Sequence, residues 1–179
     1  MAEEKKELWL NYLALSTVIL AVCATLAAFK GGGYSTRAML SQSQASDQWA
    51  FYQAKGIKGY IYEMQKEKLE LETEAMRGRV SSKVIEDYEK KTEAYSKKIK
   101  KYDDEKTEIQ TEAKKLEGIR DDAKRHSQTF GVAVIFLQIA ILLSSIAALM
   151  KKKAVWMLGL GVGIIGIVHF ANGFLLFIG

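Results

Sequence analysis

Three long runs without a charged residue constrain this chain more than any other feature. They are residues 8–29, 129–150 and 154–179, which contain 22, 22 and 26 residues. A helix needs about 20 apolar residues to cross a hydrocarbon layer of about 30 Å, and the helices of a soluble core rarely stay uncharged for so long. The sequence therefore predicts three transmembrane helices and a multi-pass membrane protein.

A strongly charged segment separates the first two runs. Residues 30–128 carry 21 of the 26 Lys and Arg residues and 18 of the 21 Asp and Glu residues. The two signs are interleaved, whereas a nucleic-acid surface is typically a stripe of positive charge. Pairs such as Glu86–Lys90 and Glu93–Lys97, four residues apart, are typical of an exposed helix. We expect an extramembrane helical segment that does not bind nucleic acid.

The charged segment has the pattern of two helices joined by a short turn. The chain contains no proline, and two heptad repeats in the segment predict a coiled coil. Gly78 suits the end of the first helix and Ser81 or Ser82 the start of the second, which places the turn near residues 76–82. Helices joined by so short a turn run antiparallel. The predicted seam of the first helix is Ala50, Ala54, Ile57, Ile61, Met64, Lys68, Leu71 and Ala75. The predicted seam of the second helix is Ile85, Tyr88, Thr92, Tyr95, Ile99, Tyr102, Lys106, Ile109, Ala113, Leu116, Arg120 and Ala123.

These observations predict an all-α fold, with three transmembrane helices and a long antiparallel coiled-coil hairpin inserted between helices 1 and 2. The predicted order is an N-terminal segment 1–7, a span 8–29, the hairpin 30–128, a span 129–150, a basic loop 151–153 and a span 154–179. The stretch KGGGYS, residues 30–35, follows the first span. Three glycines between strong helices predict a flexible joint at that point.

The charges beside the spans predict an orientation. Lys5 and Lys6 precede the first span, and residues 151–153 are three lysines between the second and third spans. The positive-inside rule gives most weight to such short loops. We therefore favour an N-terminus in the cytoplasm and a hairpin in the periplasm or outside. Lys30, Arg37 and Arg120 flank the spans on the hairpin side and favour the opposite orientation, which stays open.

Three polar residues inside the spans are candidate functional groups. His169 and Asn172 lie three residues apart in the third span, and Gln138 falls at a similar depth in the second. Intramembrane polar side chains often have a function. Two interpretations stay open: a hydrogen bond between helices or subunits, or a polar path across the membrane.

The glycines of the third span predict close helix packing rather than chemistry. Gly159 and Gly163 form a GxxxG pair, and Gly166 extends the row. Such residues let helix backbones approach closely, within one chain or between subunits. The carboxylates of the hairpin lie among lysines without a metal-binding loop, and Cys23 is the only cysteine. We therefore expect no catalytic residue, no metal and no cofactor, and we predict that the protein is not an enzyme.

Five aromatic residues are crowded into fourteen positions of the hairpin. They are Trp49, Phe51, Tyr52, Tyr60 and Tyr62. A hairpin of two helices needs one apolar stripe on each helix, whereas these side chains cover more than one face. We therefore expect a second contact there, with a neighbouring copy or with another protein. The alternative is that the tyrosines pack sideways and keep their hydroxyls in water.

The stretch QASDQWAFYQAKGIK, residues 44–58, resembles the signature of a bacterial family known as domain of unknown function 4337. The charged start, single span, helical middle and terminal pair of spans are similar too. The resemblance implies a bacterial inner membrane, and it implies no activity, ligand or catalytic residue. Our hypothesis is a non-enzymatic membrane scaffold or interaction protein that self-associates and contacts membrane lipid. The alternatives are a pore or transporter subunit, and a sensor that moves the first span through the glycine joint.

Overall fold

The computed structural model describes the backbone of residues 2–177 and the side chains of residues 8–177. Within this range the chain forms three α-helices and no strand: α1 is Ala2–Met76, α2 is Ser82–Met150 and α3 is Lys153–Leu175. The prediction of an all-α fold is confirmed. The side chains of the predicted N-terminal segment 1–7, and residues 178–179 of the predicted third span, lie outside the described residues.

The prediction of a hairpin inserted as a separate element between helices 1 and 2 is wrong. The first apolar run and the first hairpin helix are one helix, α1, which continues unbroken through Gly31–Gly33. Each glycine costs a helix about 1 kcal/mol relative to alanine, but a long helix propagates cooperatively when strong helix formers flank the weak stretch. Gly31 also allows α2 to approach, because a Cβ atom there would lie 3.0 Å from the Cβ of Phe130. The predicted flexible joint is therefore helical.

The turn between α1 and α2 has the glycine conformation that the sequence predicts. Gly78 has a φ of 80°, a left-handed conformation that glycine adopts without the steric cost of a side chain. The Arg79 amide donates to the Met76 carbonyl at 2.8 Å, and the Ser81 carbonyl accepts from the Val84 amide at 3.1 Å. These bonds use backbone groups that the two helix ends leave without a helical partner.

Residues Met1–Leu40 and Ile119–Gly179 form one compact unit, which we call the apolar unit. Its core has three clusters, and each contains residues of both α1 and α2. They comprise Leu13, Ala147 and Trp156; Leu20, Ala24, Leu137 and Ala140; and Ala27, Phe130 and Ala133. As the residue numbers in α1 increase from one cluster to the next, the residue numbers of their partners in α2 decrease. These two helices are therefore antiparallel. Alanine is frequent in the core because small side chains let helices approach closely.

The outer surface of the apolar unit is also apolar. Leu15, Val22 and Phe29 expose 59%, 53% and 76% of their surface. Each of the three helices includes a stretch that is long and apolar enough to cross a membrane. Lipid solvates such side chains, whereas water does not. The structure is therefore compatible with a multi-pass membrane protein.

Residues Ser41–Gly118 form the second unit, which we call the charged unit. It contains the end of α1, residues 41–76, which we call arm 1, and the start of α2, residues 82–118, which we call arm 2. Trp49 of arm 1 contacts Glu117 of arm 2, and Lys55 contacts Glu105. The two arms therefore run antiparallel within this unit.

Candidate interaction surfaces

Arm 1 packs against arm 2 through a heptad face that the sequence analysis did not identify. We call it the inner face, and every position on it is buried or half-buried. Its residues are four and three positions apart in strict alternation, as in a coiled-coil seam. They are Ser41, Ala45, Gln48, Tyr52, Lys55, Gly59, Tyr62, Lys66, Leu69, Thr73 and Met76. This seam is built mainly from small, polar and aromatic side chains.

A hydrogen bond from Trp49 joins arm 1 to the end of arm 2. The indole Nε1–H donates to Glu117 Oε1 at 3.0 Å. The ring also contacts Tyr52 edge-on, with centroids 5.5 Å apart. A half-buried indole N–H needs such a partner, and a carboxylate is a strong acceptor. Trp49 and Tyr52 therefore help to hold the two arms together.

One ion pair and one hydrogen bond from a lysine to a tyrosine cross the inner face. Lys55 Nζ lies 2.5 Å from Glu105 Oε2, and this contact with the lysine holds the pKa of the Glu105 carboxyl below its ordinary value. Lys98 Nζ donates to the Tyr62 hydroxyl at 3.1 Å, and this bond raises the pKa of Lys98. Both shifts favour the charged forms of Glu105 and Lys98 near neutral pH.

Tyrosine rings fill the space around these pairs. Tyr62 stacks on Tyr102 with centroids 5.8 Å apart, and it contacts Tyr95 at 5.4 Å. Gly59 lies beside this group, where an added Cβ would be 3.9 Å from the Cβ of Tyr102. The inner face therefore joins the arms through ring contacts, the Lys55–Glu105 ion pair and the Lys98–Tyr62 hydrogen bond. On arm 1 these contacts take the place of the apolar seam that the sequence predicts.

The predicted apolar seam of arm 1 lies on the outside, so this prediction is wrong. All eight of its positions are exposed: Ala50, Ala54, Ile57, Ile61, Met64, Lys68, Leu71 and Ala75. We call this row the outer stripe. Each member is two residues from an inner-face position, a rotation of about 200° on a helix of 3.6 residues per turn. The outer stripe therefore points away from arm 2.

The large side chains of the outer stripe are markedly exposed. Ile57, Met64 and Leu71 expose 62%, 66% and 73% of their surface. Exposed apolar residues are ordinary when scattered singly, but a contiguous patch indicates an interaction site. Heptad spacing makes this patch suitable for another helix.

The five crowded aromatic residues divide between the two faces. Trp49, Tyr52 and Tyr62 are half-buried against arm 2. Phe51 and Tyr60 expose 59% and 70% of their surface. These three side chains pack sideways against arm 2, which was the alternative to a second contact that the sequence left open. Phe51 and Tyr60 adjoin the outer stripe and are the two aromatic residues that stay available for a second contact.

The predicted seam of arm 2 does face arm 1. Its positions in the charged unit, from Ile85 to Leu116, are all buried or half-buried. Ala113 is fully buried. This part of the sequence prediction is confirmed. The error is confined to arm 1, where two different faces both have heptad spacing.

The glycines of α3 lie at close helix contacts inside the apolar unit. A Cβ atom at Gly166 would lie 2.8 Å from Leu137 Cγ, and one at Gly163 would lie 2.9 Å from Leu20 Cδ2. A Cβ at Gly159 would lie 3.2 Å from the Ala140 carbonyl oxygen. These residues therefore allow α3 to approach α1 and α2 within a single chain.

Gln138 and His169, two of the polar residues predicted inside the spans, are not hydrogen-bonded to each other in the described part of the single chain. Gln138 is exposed on α2. His169 instead stacks on Phe136, with centroids 5.8 Å apart and planes 5° apart. Asn172 is buried, with 2% of its surface exposed. Gln138 therefore presents an amide on the outer surface of an apolar helix.

His126, which the sequence analysis did not select, ties α2 to the end of α3. Its Nδ1 lies 2.7 Å from the Gly173 carbonyl oxygen, so the nitrogen that faces this acceptor carries the proton. The ring stacks on Tyr34 with centroids 4.5 Å apart. The Phe130 ring packs directly against Gly173, where an added Cβ would lie 2.6 Å from Phe130 Cε1. The last turn of α3 is thus held by one hydrogen bond and a ring contact.

An open groove of about 690 Å³ lies on α1 where the first apolar run ends. Lys30 and Arg37 line it on either side of Gly32 and Gly33. Neither cation forms an ion pair within residues 8–177. The groove therefore presents two positive charges at the level where a spanning helix would leave the hydrocarbon.

No group of three or more His, Cys, Asp or Glu side chains in the described part of the chain is arranged to hold a metal ion. A family model described as Domain of unknown function (DUF4337) matches residues 9–176, which is nearly the whole chain. Comparison with curated proteins and with solved structures gives no match. The chain therefore belongs to the DUF4337 family.

Proposed function

We propose that this protein is a non-enzymatic, multi-pass membrane scaffold or interaction protein. The apolar unit anchors it in lipid, and the charged unit presents an antiparallel coiled-coil hairpin to partners. The observation that carries the proposal is the outer stripe, which exposes Ile57, Met64 and Leu71 at heptad spacing. A hairpin that served only as a spacer would not need a second apolar face.

We expect the partner helix to come from the protein itself, so that the chain forms a homo-oligomer. Most soluble oligomers are homo-oligomers built from self-complementary surfaces. Phe51 and Tyr60 adjoin the outer stripe and widen it. Aromatic side chains are enriched at the centre of protein interfaces. Trp49, Tyr52 and Tyr62 would then act indirectly, by fixing arm 1 against arm 2.

The membrane and orientation follow from family resemblance and charge. The resemblance favours a bacterial inner membrane, and the lysines at 151–153 favour a cytoplasmic position for the loop that contains them. The hairpin would then be periplasmic. The cations Lys30 and Arg37 would lie among lipid headgroups, where their charge favours anionic lipid.

The proposal is tested by the mass of the protein in mild detergent and in lipid nanodiscs. The double variant Ile57→Gln/Ile61→Gln replaces two central positions of the outer stripe. Val84→Gln is the matched control, because Val84 is an exposed apolar residue on arm 2. We expect a wild-type oligomer, a monomeric double variant with unchanged helical circular dichroism, and an oligomeric control. A monomeric wild type in both media, or an unchanged oligomer in the double variant, would refute the proposal.

A pore or transporter subunit is the second candidate, and the exposure of Gln138 favours it. An amide that faces lipid is costly, whereas one that lines a water-filled path is not. Purified protein in planar bilayers would then conduct ions, and Gln138→Leu would reduce the conductance. The sensor hypothesis stays a prediction, but its signal would pass along the continuous helix α1 and not through a flexible joint, because residues 31–33 are helical.

A further inference from the structure

We infer that the groove on α1 binds one anionic phospholipid, with the lipid phosphate between Lys30 and Arg37 and an acyl chain along the apolar surface that begins at Phe29. This inference rests on the membrane anchor of the proposed function and names the class of lipid that the apolar unit binds. It is drawn from the spacing, exposure and charge balance of residues at the end of the first apolar run, all of which belong to the apolar unit.

The two cations of the groove lie on one side of α1 with a gap between them. Lys30 and Arg37 are seven residues apart, which is about 10 Å along the helix axis. Gly33 lies between them on the same side, three residues after Lys30 and four before Arg37. An added Cβ at Gly32 or Gly33 would have nothing within 4 Å. The two long side chains therefore flank a part of the helix surface that is open to a ligand.

Neither of these cations has a charge partner within residues 8–177. Both are exposed, and residues 29–40 of α1 contain no acidic residue. The balance differs on α2, where Arg120 Nε donates to Asp121 Oδ1 at 2.9 Å. An acidic residue of α2 is thus compensated on α2 itself. The charges of Lys30 and Arg37 are therefore available for an anion from outside the described chain.

The surface on the hydrocarbon side of the groove is apolar and open. Val22, Leu26 and Phe29 lie on the same outer side of α1 as Gly33, at intervals of four, three and four residues. Val22, Leu26 and Phe29 expose 53%, 48% and 76% of their surface. Phe29 also lines the groove. An acyl chain that begins at the groove would therefore continue along this row and cover it.

Two other side chains that line the groove are already engaged within the chain. Tyr34 stacks on His126 of α2 with centroids 4.5 Å apart, which holds its ring as a wall of the groove. Thr36 Oγ1 donates to the Gly32 carbonyl at 3.1 Å, so its hydroxyl hydrogen is already used. The two cations therefore supply the charge and the free donors that a phosphate needs.

An anionic phospholipid matches both parts of this surface. Lysine and arginine are the side chains that bind phosphate most strongly, and each cation near a membrane surface favours anionic lipid. A zwitterionic lipid carries its own ammonium group, which two unpaired cations would repel. A soluble phosphate ester lacks the acyl chain that would cover Phe29. Charge and apolar contact together therefore favour the anionic lipid.

Native mass spectrometry of the full chain in detergent tests the site, because the spectra resolve each bound lipid. The protein is titrated with dioleoylphosphatidylglycerol, and dioleoylphosphatidylcholine provides the reference. We expect the first phosphatidylglycerol to bind about tenfold more tightly than phosphatidylcholine. Equal affinity for the two lipids, or no bound lipid of either kind, would overturn the inference. Displacement of phosphatidylglycerol by an equal concentration of glycerol phosphate would also overturn it, because the site would then bind soluble phosphate esters.

Charge variants test the two cations. We expect Lys30→Gln and Arg37→Gln each to weaken the binding of phosphatidylglycerol by about fivefold, and the double variant by about 25-fold. The matched control is Lys124→Gln/Arg125→Gln, which removes two charges from exposed positions of α2 in the same unit. We expect the control to bind nearly as tightly as the wild type. Equal losses in the two double variants would indicate a diffuse attraction to net charge and would contradict the site.

A steric variant tests the position of the phosphate without a change of charge. Gly33→Leu places a side chain between the two cations, and Gly131→Leu is the control. Both glycines are exposed, and an added Cβ at either would have nothing within 4 Å, so we expect both variants to keep the helical circular dichroism of the wild type. We expect Gly33→Leu to weaken the binding of phosphatidylglycerol about as much as the loss of one cation. Unchanged binding in Gly33→Leu would contradict the position.

The same spectra also report the mass of the protein, which keeps two failures apart. An oligomer that binds both lipids equally would overturn this inference and leave the self-association of the proposed function intact. A chain that is monomeric here and in nanodiscs, but prefers phosphatidylglycerol, would refute the self-association and support the lipid site. A monomer without a preference would overturn both.

Discussion

Gly166→Ala is predicted to destabilise the apolar unit, whereas Gly161→Ala is not. A Cβ at Gly166 would lie 2.8 Å from Leu137 Cγ and 3.0 Å from the Leu137 backbone nitrogen, while nothing lies within 4 Å of a Cβ at Gly161. Leu137 is fully buried, and its backbone cannot move aside without shifting α2. The added methyl group therefore has no free space at Gly166.

The paired design isolates the cost of this contact. Both variants gain the same helix propensity, about 1 kcal/mol for alanine over glycine, so the difference between them reports packing alone. Overpacking a close-packed core costs about 1–3 kcal/mol. We therefore expect Gly166→Ala to be less stable than Gly161→Ala by about 2 kcal/mol.

The assay is denaturation in mixed micelles with increasing sodium dodecyl sulfate, followed by circular dichroism. The free energies of unfolding of the two variants are compared at one detergent composition. A lower value for Gly166→Ala supports the helix contact. Equal values for the two variants would refute the packing of α3 against α2 at this level.

Two further predictions concern single side chains. The pKa of Glu105 is held below its ordinary value of 4.5 by the contact with Lys55. The stabilisation is therefore full above about pH 4.5 and is lost as the pH falls through the lowered pKa. Glu105→Gln should make the thermal midpoint less sensitive to acid between about pH 7 and about pH 3, and an unchanged acid response would contradict this. His126→Phe keeps a ring beside Tyr34 but removes the donor to the Gly173 carbonyl, at a cost of about 1 kcal/mol. Amide hydrogen exchange should become faster in the last turn of α3, and unchanged exchange there would contradict the tie.

The sequence predicts the helices and the apolar runs well because these depend on local composition. Uncharged runs of this length have few alternatives to a spanning helix. Gly78 at the turn follows from the left-handed conformation that ends a helix. Features that depend on one residue and its immediate neighbours can thus be read from the chain.

The sequence does not predict which face of arm 1 meets arm 2. The outer stripe has the more apolar heptad, so an analysis of hydrophobic periodicity selects it. The inner face contains Lys55, Tyr62 and Gly59, which are favourable only because Glu105, Lys98 and Tyr102 lie opposite them. Such pairs become visible only when the register between the arms is known.

The role of His126 is hidden for the same reason. Its neighbours in the sequence indicate only a residue near the membrane, whereas its acceptor, the Gly173 carbonyl, lies 47 residues away. The glycines at 31–33 show the converse, a local signal that distant contacts override. Their composition predicts a joint, but the contact of Gly31 with Phe130 and the flanking helix keep them helical.

The central claim, that a second copy covers the outer stripe, is tested most directly by the distance between two identical labels. A spin label at position 57, in a Cys23→Ala background and in lipid nanodiscs, reports the separation between arm 1 of one copy and arm 1 of the other. Packed helices have axes about 8–10 Å apart, so we predict strong dipolar coupling between copies. A label at position 63, off the stripe, should give a clearly longer distance. The absence of coupling at position 57 would contradict the account.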